Sequence, residues 1–506
     1  MYIEPSTNIR LLRGVPLDNT YEHTIYFANA SAQEAYFIGK TVVNLTNNTY
    51  TRVKRGVARV EVLADQVYTC NYMMFRNSAH GAKWFYAFIT GVEYINDTTT
   101  EITFEIDSIQ TYLFDTTLKE CYIERQHSLV DDAGSNVVPE PNGVGDITCS
   151  EMSGTGLMHE YVAVIATAYD PDGQAGGTYG GLFSGCKYLA GQINDVSGEQ
   201  RLLDFLDAAV AANKSDSIVS IFMMPQRFFT SGSAPVVEAK RVAIPTSIHG
   251  YTPKNKKLLT YPYNYLSIEC GNSNATYRYE WFTNRSSTGN NVDFALTSCV
   301  SCNPQIAIIP FSYNGSGDNE LNWTEKLVMD GFPQVAWSID AFRAWIAQNA
   351  SRTALAGGTG LIAGISGALT GNPIMAVGGL NTAVGSANEA VLAANRPPQA
   401  RGQDSGGIDV ATRTKDFYFK RMQLNLDDAI MMDDFFTVYG YAYNEVKVPN
   451  THARPHWTYV KTRNCLVQSN APVDDVKTIC NAFNKGITWW RNGDEVGNYS
   501  LDNSPT

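Results

Sequence analysis

Two neighbouring stretches of this sequence read WFYAFIT from Trp84 to Thr90 and EITFEID from Glu101 to Asp107. The second stretch alternates strictly, with its three apolar residues on one face and polar residues on the other, which is the pattern of a half-buried strand. The first stretch is a continuous aromatic run, typical of a strand that is covered on both faces. Because Asn96-Asp97 supplies turn residues between them, the two stretches predict a β-hairpin.

The composition supports a β protein with more than one core. Apolar residues make up 44% of the chain and aromatic residues 11%, with 28 tyrosines, and aromatic side chains are enriched in strands. The chain has 506 residues, whereas a single hydrophobic core stops growing at about 250–300 residues. We therefore predict a fold that is mainly β and carries an α/β insertion.

Changes in sequence pattern divide the chain into five segments. They are an N-terminal β domain (residues 1–125), an inserted α/β domain (126–250), a β-rich domain (251–337), a helix followed by a hydrophobic Gly/Ala-rich loop (338–402), and a C-terminal β domain with one helix (403–506). Because β signals occur at both ends of the chain, we expect the two termini to build one body together.

Apolar spacing and capping residues predict three helices. Residues 199–212 repeat apolar side chains at helical spacing between two strand-like stretches, which accounts for the α/β insertion. Residues 338–347 begin with an N-cap serine and are amphipathic. The C-terminal helix starts at Pro472 and ends at Gly486, a residue suited to a helix C-terminus. The Tyr- and Val-rich stretch Phe435–Val448 is predicted to be β.

Charge is distributed unevenly along the chain. Lys+Arg 38 and Asp+Glu 50 give a net charge of −12, which argues against general electrostatic binding of nucleic acid. Between Arg352 and Glu389 there is no charged residue. This uncharged segment, Thr353–Asn388, reads TALAGGTGLIAGISGALTGNPIMAVGGLNTAVGSAN, with nine glycines and seventeen Ala, Val, Ile, Leu or Met. As a free helix it should be unstable in water, since each Gly costs about 1 kcal/mol relative to Ala.

Three interpretations of the uncharged segment stay open from the residues alone. The first is a loop that inserts into a membrane when triggered, since small residues four apart let membrane helices touch. The second is a flexible apolar plug or linker inside an assembly, and the third is an ordinary buried helical hairpin. Leu355–Leu369 would span about 22 Å as a helix, less than the roughly 30 Å of a bilayer core. Membrane insertion would therefore favour several copies acting together.

Thirteen residues of the uncharged segment are the candidate functional residues, forming a membrane-active or lumen-plugging loop. They are Leu355, Gly360, Leu361, Ile362, Gly364, Ile365, Gly367, Leu369, Ile374, Met375, Val377, Leu380 and Val384.

Searches for catalytic and metal motifs assign no residue. There is no His-Glu-x-x-His, and no Ser lies in Gly-x-Ser-x-Gly. A structural zinc site requires four ligands, and the pair Cys299 and Cys302 has no second ligand pair nearby. We predict no catalytic residue, no metal and no cofactor, and we expect the nine cysteines to be reduced thiols of a protein made in a cytoplasm.

Several strings occur in a fixed order near both ends of the chain. They are Asn8-Ile9-Arg10-Leu11-Leu12, Trp84-Phe85-Tyr86-Ala87-Phe88, Phe104-Glu105-Ile106-Asp107, Pro397-Pro398-Gln399, Tyr439-Gly440-Tyr441, Lys447-Val448-Pro449-Asn450, Tyr459–Cys465, Asn484–Trp489 and Gly497–Ser500. Together they resemble the tail knob, or distal tail tube, protein of small short-tailed bacteriophages of Gram-positive hosts. The resemblance covers residues 1–125 and 335–506 and is weak over 126–330.

This resemblance implies a structural virion protein of the distal tail that is made in the host cytoplasm. It implies β-barrel-like tube domains from six subunits in a ring, through which DNA passes without sequence-specific binding. A long hydrophobic loop would plug the lumen and leave it during ejection to penetrate the host membrane. The uncharged segment is the candidate for this loop. Further implied partners are other tail proteins, including the lower collar and the tail tip.

Two other classes of function remain as alternatives. One is a tail-associated cell-wall hydrolase with acidic catalysts in the middle of the chain. The other is a receptor-binding adhesin built around the same region.

Overall fold

The computed structural model describes eleven stretches of the chain. They are residues 7–48, 56–77, 81–157, 161–170, 186–192, 196–229, 237–271, 273–283, 289–300, 303–335 and 415–505. Unit 1 of the fold comprises Met1–Asp146, Gly250–Leu259 and Asn425–Thr506, and unit 2 comprises Ile147–His249 and Thr260–Leu424. The two termini therefore contribute to one body, as expected. The boundaries of the five predicted segments stay predictions.

The described residues are mainly β. The strands are β1 (Thr7–Leu12), β2 (His23–Ile25), β3 (Thr41–Asn48), β4 (Val57–Val60), β5 (Tyr72–Asn77), β6 (Phe85–Asn96), β7 (Thr99–Ile106), β8 (Thr116–Leu118), β9 (Cys121–Gln126), β10 (Ile147–Gly154), β11 (Tyr161–Thr167), β12 (Lys187–Gln192), β13 (Ile218–Pro225), β14 (Val237–Ala243), β15 (Asn264–Cys270), β16 (Ser273–Tyr277), β17 (Asn291–Cys299), β18 (Gln305–Pro310), β19 (Leu327–Met329), β20 (Gln334–Val335), β21 (Tyr418–Leu424), β22 (Tyr441–Lys447), β23 (Trp457–Arg463), β24 (Val467–Ser469) and β25 (Ile487–Trp490). The α-helices are α1 (Ala30–Gly39), α2 (Ala64–Val67), α3 (Ser108–Thr111), α4 (Val196–Ala211), α5 (Leu426–Tyr439) and α6 (Val473–Lys485).

The largest sheet of unit 1 is antiparallel and has the strand order β3-β1-β5-β6-β7-β4. The predicted hairpin is confirmed, because β6 pairs with β7 and Ile89 lies opposite Phe104. The face formed by Ile102 and Phe104 is buried while Glu105 is partly exposed to solvent. The alternation in the sequence therefore sets which face of the hairpin enters the core.

A second sheet of unit 1 joins the two ends of the chain. Its order is β2-β25-β23-β9-β22, so two strands from the first 126 residues pair with three strands from the last 66. One aromatic buried cluster takes residues from both sheets of unit 1: Phe37 stacks on Tyr72 of β5 with ring centroids 5.2 Å apart, and Phe483 and Trp489 from the C-terminal end belong to the same cluster. Because full burial of such a side chain contributes roughly 1.5–3 kcal/mol, neither end has a complete core without the other.

Unit 2 contains three four-stranded antiparallel sheets. Their orders are β10-β21-β15-β16, β12-β11-β13-β20 and β14-β17-β18-β19, and one buried cluster takes residues from all three, including Phe222, Ile268 and Phe294. The predicted helix at 199–212 is confirmed as α4. It lies between β12 and β13 in the chain and buries Leu206 against Ile165 in a smaller core.

The C-terminal part of the chain corrects one expectation. A single helix was predicted there, with Phe435–Val448 as β, but α5 occupies Leu426–Tyr439 and β22 begins only at Tyr441. Asn425 caps α5 by accepting a hydrogen bond from the Asp428 amide at 2.9 Å. Its apolar residues are not confined to the buried face, since Ile430 and Met431 are exposed while Asp433 is buried, so it lacks the one-sided pattern by which amphipathic helices are recognised.

The turn that follows α5 requires a glycine. Gly440 has φ +68, and a Cβ there would lie 2.4 Å from the backbone of Gln126. The close approach lets the carbonyl oxygen of Gly440 accept a hydrogen bond from Arg125 at 2.7 Å. The end of α5 is thereby joined to strand β9.

One buried carboxylate holds the segment Gly250–Leu259 in unit 1. Asp433, on α5, is fully buried. Its Oδ1 accepts from the backbone and side-chain amides of Asn255, both at 2.9 Å. Its Oδ2 accepts from the Tyr251 hydroxyl at 2.6 Å and the Lys254 amide at 2.8 Å. Four donors thus compensate the desolvation of one charge. We call this arrangement the Asp433 clamp.

A buried ion network lies beside the Asp433 clamp. The Glu140 carboxylate pairs with both Arg125 and Lys257. Asp131 accepts a hydrogen bond from the Tyr441 hydroxyl at 2.6 Å. Burial lowers the pKa of Lys257, and the adjacent Glu140 opposes that shift. The pairing is what makes these charges tolerable in the interior.

His127 is held as a neutral imidazole within unit 1. Its Nδ1 accepts from the Tyr459 amide at 2.8 Å, so its Nε2 carries the proton and donates to the Thr437 carbonyl at 3.0 Å. Burial, followed by the nearby Arg454 guanidinium, lowers the pKa of His127 to about 3. The side chain therefore links α5 to β23 without carrying a charge.

The Asp433 clamp generates a prediction with a matched control. Asp433→Ala leaves four donors without their acceptor, and we expect it to lower the free energy of unfolding of the protein by about 3–5 kcal/mol. Asp434 is the next residue and is exposed, so Asp434→Ala should change it by no more than about 0.5 kcal/mol. Urea denaturation followed by circular dichroism compares the two variants. Equal stability of both would contradict the role given to the clamp.

Candidate functional site

The predicted functional residues fall in a part of the chain that the structure does not describe. All thirteen, from Leu355 to Val384, lie within residues 336–414, as does the predicted helix at 338–347. The structure describes the chain on both sides of this range. We call the two flanking stretches, Gly331–Val335 and Lys415–Phe417, the roots of the uncharged segment.

The two roots contact each other directly. The Lys415 ammonium donates a hydrogen bond to the carbonyl oxygen of Gly331 at 2.5 Å, and it lies 4.8 Å from the centroid of the Phe332 ring. Both interactions join residues that are more than eighty positions apart in sequence. The two described ends that flank residues 336–414 therefore lie side by side in unit 2.

Each root continues into the core of unit 2. Phe332 and Phe417 belong to the large buried cluster of that unit, and both are almost completely inaccessible to solvent. After the second root, β21 pairs with β10 on one side and with β15 on the other. In the first root, β20 pairs with β13, with Val335 opposite Ile221. Sheet pairing and burial therefore fix the positions of both roots.

Asp416 supplies the strongest polar anchor of the second root. Its carboxylate accepts from the amides of Gly156 and Phe417, each at 2.8 Å, and from the hydroxyl of Thr155. The side chain is largely buried. Such charge-assisted bonds to backbone amides are stronger than neutral ones, so they hold the returning chain against the strand end at Gly154.

Burial keeps a thiol near the roots protonated. Burial raises the pKa of Cys270 to about 11, although the Lys415 ammonium acts in the opposite direction. The Cys270 thiol donates to the Val328 carbonyl at 3.6 Å. A thiol with a raised pKa is a poor nucleophile, so this cysteine packs in the core and does not add reactivity to the site.

The described ranges offer no obvious reactive centre at the roots. The eight cysteines within them are free thiols. In these ranges no group of three or more His, Cys, Asp or Glu residues is arranged to hold a metal ion. None of the helices that the structure describes is long and apolar enough to cross a bilayer. What the described residues do show is that the two ends flanking the uncharged segment are tied to each other.

Sequence reasoning identified the uncharged segment but missed its roots. A signal was present, because Lys415-Asp416 is followed by alternating aromatic residues at Phe417 and Phe419. Such alternation is typical of a strand with one buried face. The contact between Lys415 and Gly331 has no counterpart in local sequence.

Comparison with known proteins identifies the family. The model of the C-terminal domain of Tail knob protein gp9 from Bacillus phage phi29 matches residues 237–504, which is more than half of the chain. The chain belongs to this tail knob protein family. At the other end, the model of the caudoviral major tail protein N-terminus matches residues 5–117.

Individual tail knob proteins are similar to the chain over its whole length. Tail knob protein gp9 of Bacillus phage B103 and that of Bacillus phage phi29 are each 26% identical to it, with 98% of both chains covered in each case. Among solved structures, the bacteriophage C1 tail knob protein gp12 matches with a TM-score of 0.62 and 13% identity, covering 98% of this chain and 99% of that one. The last likeness supports the fold.

Membership in the tail knob family settles the class of protein. Tail knob proteins are components of the phage virion tail, so the protein is a structural tail protein. The expectation of a weak resemblance over residues 126–330 is corrected in part, because residues 237–330 lie inside the matched C-terminal domain. Residues 118–236 lie between the two matched ranges.

The roots generate a prediction about stability. Asp416→Ala removes the acceptor for two backbone amides and a hydroxyl, and we expect it to lower the free energy of unfolding by about 2–4 kcal/mol. The control is Asp330→Ala, which changes an exposed carboxylate beside the first root and should cost no more than about 0.5 kcal/mol. Urea denaturation of both variants checks this. A loss no larger for Asp416→Ala than for Asp330→Ala would show that the carboxylate does not anchor the root.

Proposed function

We propose that six copies of this tail knob protein form a ring at the distal end of the tail, with β-barrel-like tube domains around a conduit for DNA ejection. The uncharged segment of each copy plugs the lumen before infection. When the loops are released, they penetrate the host membrane so that the genome can enter. The observation that carries this proposal is an uncharged segment of 36 residues between two roots buried in unit 2.

The physical chemistry of the uncharged segment supports the plug. Soluble proteins rarely expose large contiguous apolar surfaces, so a stretch with seventeen aliphatic residues and no charge needs a place out of water. The lumen of a closed ring is such a place, because the copies can pack on one another. Release into lipid gives the same residues a second apolar environment.

The geometry of the roots suits a segment that moves while the body stays folded. The roots touch each other through Lys415 and Gly331, and both are continuous with the buried core of unit 2. An excursion that begins and ends at one point can change its surroundings without separating paired strands. The energetic cost of release then falls on the loop contacts and not on the sheets.

The charge of the chain suits a conduit for nucleic acid. A surface rich in Lys and Arg holds DNA phosphates and releases counterions, whereas this chain carries a net charge of −12. DNA would therefore pass without sequence-specific or strong electrostatic binding. The remaining partners in the proposal are the neighbouring tail proteins, including the lower collar and the tail tip, and the host membrane. No enzymatic step is part of the proposed function.

A second candidate function, receptor binding, is favoured by one observation in unit 2. Two exposed tryptophans lie on a common surface there, which the next subsection describes. The hydrolase alternative has no such support among the described residues.

Membrane activity of the loop can be tested by liposome leakage. The protein, after treatment that exposes the loop, should release dye from phospholipid vesicles. Leu361→Asp/Ile365→Asp should reduce the release at least about tenfold, because a carboxylate at the centre of a membrane helix costs about 2.5–3.5 kcal/mol per residue. Met152→Asp/Val219→Asp, which changes two residues already exposed on the body, should leak like the unmodified protein. Equal leakage from all three proteins would show that the loop is not the membrane-active element.

The ring is tested separately by end-on electron microscopy of the tail. We expect averaged images with six-fold symmetry and density in the lumen before ejection that is absent afterwards. A single copy, or an open helical assembly, in the mature tail would contradict this part of the proposal.

A further inference from the structure

Two tryptophan side chains are exposed, although tryptophan side chains in folded proteins are normally buried. Of the six that the structure describes, Trp84, Trp457, Trp489 and Trp490 are buried, whereas Trp281 is 37% exposed and Trp323 is 55% exposed. Both exposed residues lie in unit 2. Because large aromatic surfaces left in water mark binding sites more often than scattered single apolar residues do, the surroundings of these two side chains are informative.

A turn centred on Asn314 connects the two segments that carry these tryptophans. The Asn314 amide donates to the Trp281 carbonyl at 3.1 Å, and its side chain donates to Glu325 Oε1 at 2.9 Å. Glu325 belongs to the same short 3-10 helix as Trp323. Asn322 caps this helix, with its side chain accepting from two amides of the helix. The backbone under both rings is therefore rigid.

An arginine lies between two aromatic rings at the same surface. The guanidinium of Arg278 is 3.9 Å from the centroid of Tyr261 and 4.3 Å from that of Trp281. Its backbone amide donates to the Tyr313 hydroxyl at 3.2 Å, which fixes the residue. Contacts with two rings hold the guanidinium beside Trp281, and its planar fork of N–H donors is suited to hydrogen bonding of a polar ligand. We call the surface made by Tyr261, Arg278, Trp281, Trp323, Asn314 and Glu325 the aromatic platform.

The charges around the aromatic platform indicate the class of ligand. Arg278 and Lys326 are balanced by Glu280 and Glu325, so there is no excess of positive charge of the kind that single-stranded nucleic acid requires. The surface instead combines apolar ring faces with both donors and acceptors at their edges. A pyranose ring has the matching character, because it presents an apolar C–H face and a rim of hydroxyl groups that donate and accept hydrogen bonds.

We propose that the aromatic platform binds a saccharide, with sugar rings stacked on Trp281 and Trp323 and hydroxyl groups bound by Arg278 and Glu325. The platform lies in a part of unit 2 that the structure describes, apart from the roots. The proposal therefore stands whether or not the uncharged segment enters a membrane. It assigns to the knob a contact with a polysaccharide.

Tryptophan fluorescence of the full chain tests the platform directly. The probes are soluble glucans, galactans, mannans and chito-oligosaccharides, each titrated separately. We expect at least one to change the emission of the unmodified protein in a saturable way. Trp323→Ala should weaken that binding about tenfold or more, as truncation of an aromatic anchor commonly does, and Arg278→Lys should weaken it measurably because the planar fork is lost.

The control is Tyr68→Ala, which removes an exposed aromatic residue of unit 1 and should leave saccharide binding unchanged. Circular dichroism establishes that each variant is folded, and Trp323 is exposed enough to be replaced without a packing defect. Isothermal titration calorimetry with the same probes measures affinity independently of the tryptophans. Absence of binding to every probe, binding unaffected by Trp323→Ala and Arg278→Lys, or tighter binding of oligothymidylate than of any saccharide would each overturn the proposal.

Discussion

The buried carboxylate of Asp433 is the interaction on which the organisation of unit 1 depends. It accepts four hydrogen bonds from Tyr251, Lys254 and Asn255. These bonds hold a ten-residue stretch from the middle of the chain, Gly250–Leu259, in unit 1. A carboxylate can be fully buried only if donors replace its water. The chain must therefore pass through unit 1 three separate times, because each passage supplies part of what the interior charges need.

The same requirement extends through the neighbouring network. Glu140 comes from the first passage, Lys257 from the second, and Gly440, which Arg125 binds, from the third. Removing any one passage would leave charges or backbone groups without partners in a low-dielectric interior. This mutual dependence explains why the two ends of the chain close into a single body while unit 2 is built from the sequence between them.

Unit 2 contains the described chain on both sides of the uncharged segment. The roots are tied to each other by Lys415 and Gly331 and to the strand end at Gly154 by Asp416. The large cluster behind them takes residues from three sheets. The described chain on either side of the uncharged segment is therefore held by the core of unit 2. The aromatic platform, also in unit 2, includes the turn at Asn314.

How much could be predicted depends on how far apart the interacting residues are in sequence. Alternation with period two predicted the β6–β7 hairpin, since strand periodicity is a local property. Spacing near 3.6 predicted α4. The same reasoning missed α5, because a helix with a buried carboxylate and exposed apolar residues has little periodic contrast. It also missed the roots, whose decisive contact joins residues on either side of the uncharged segment.

The sequence by itself determined that the chain is a mainly β tail knob protein and that Thr353–Asn388 is free of charge, because composition, periodicity and family likeness are written along the chain. Only the tertiary structure decided that Asp433, Glu140 and His127 are buried with partners. It also decided that Lys415 meets Gly331 and that Trp281 and Trp323 share one surface. The physical reason is the same in each case: burial and pairing depend on which distant segments come together, and residues far apart in sequence carry no local mark of their partners.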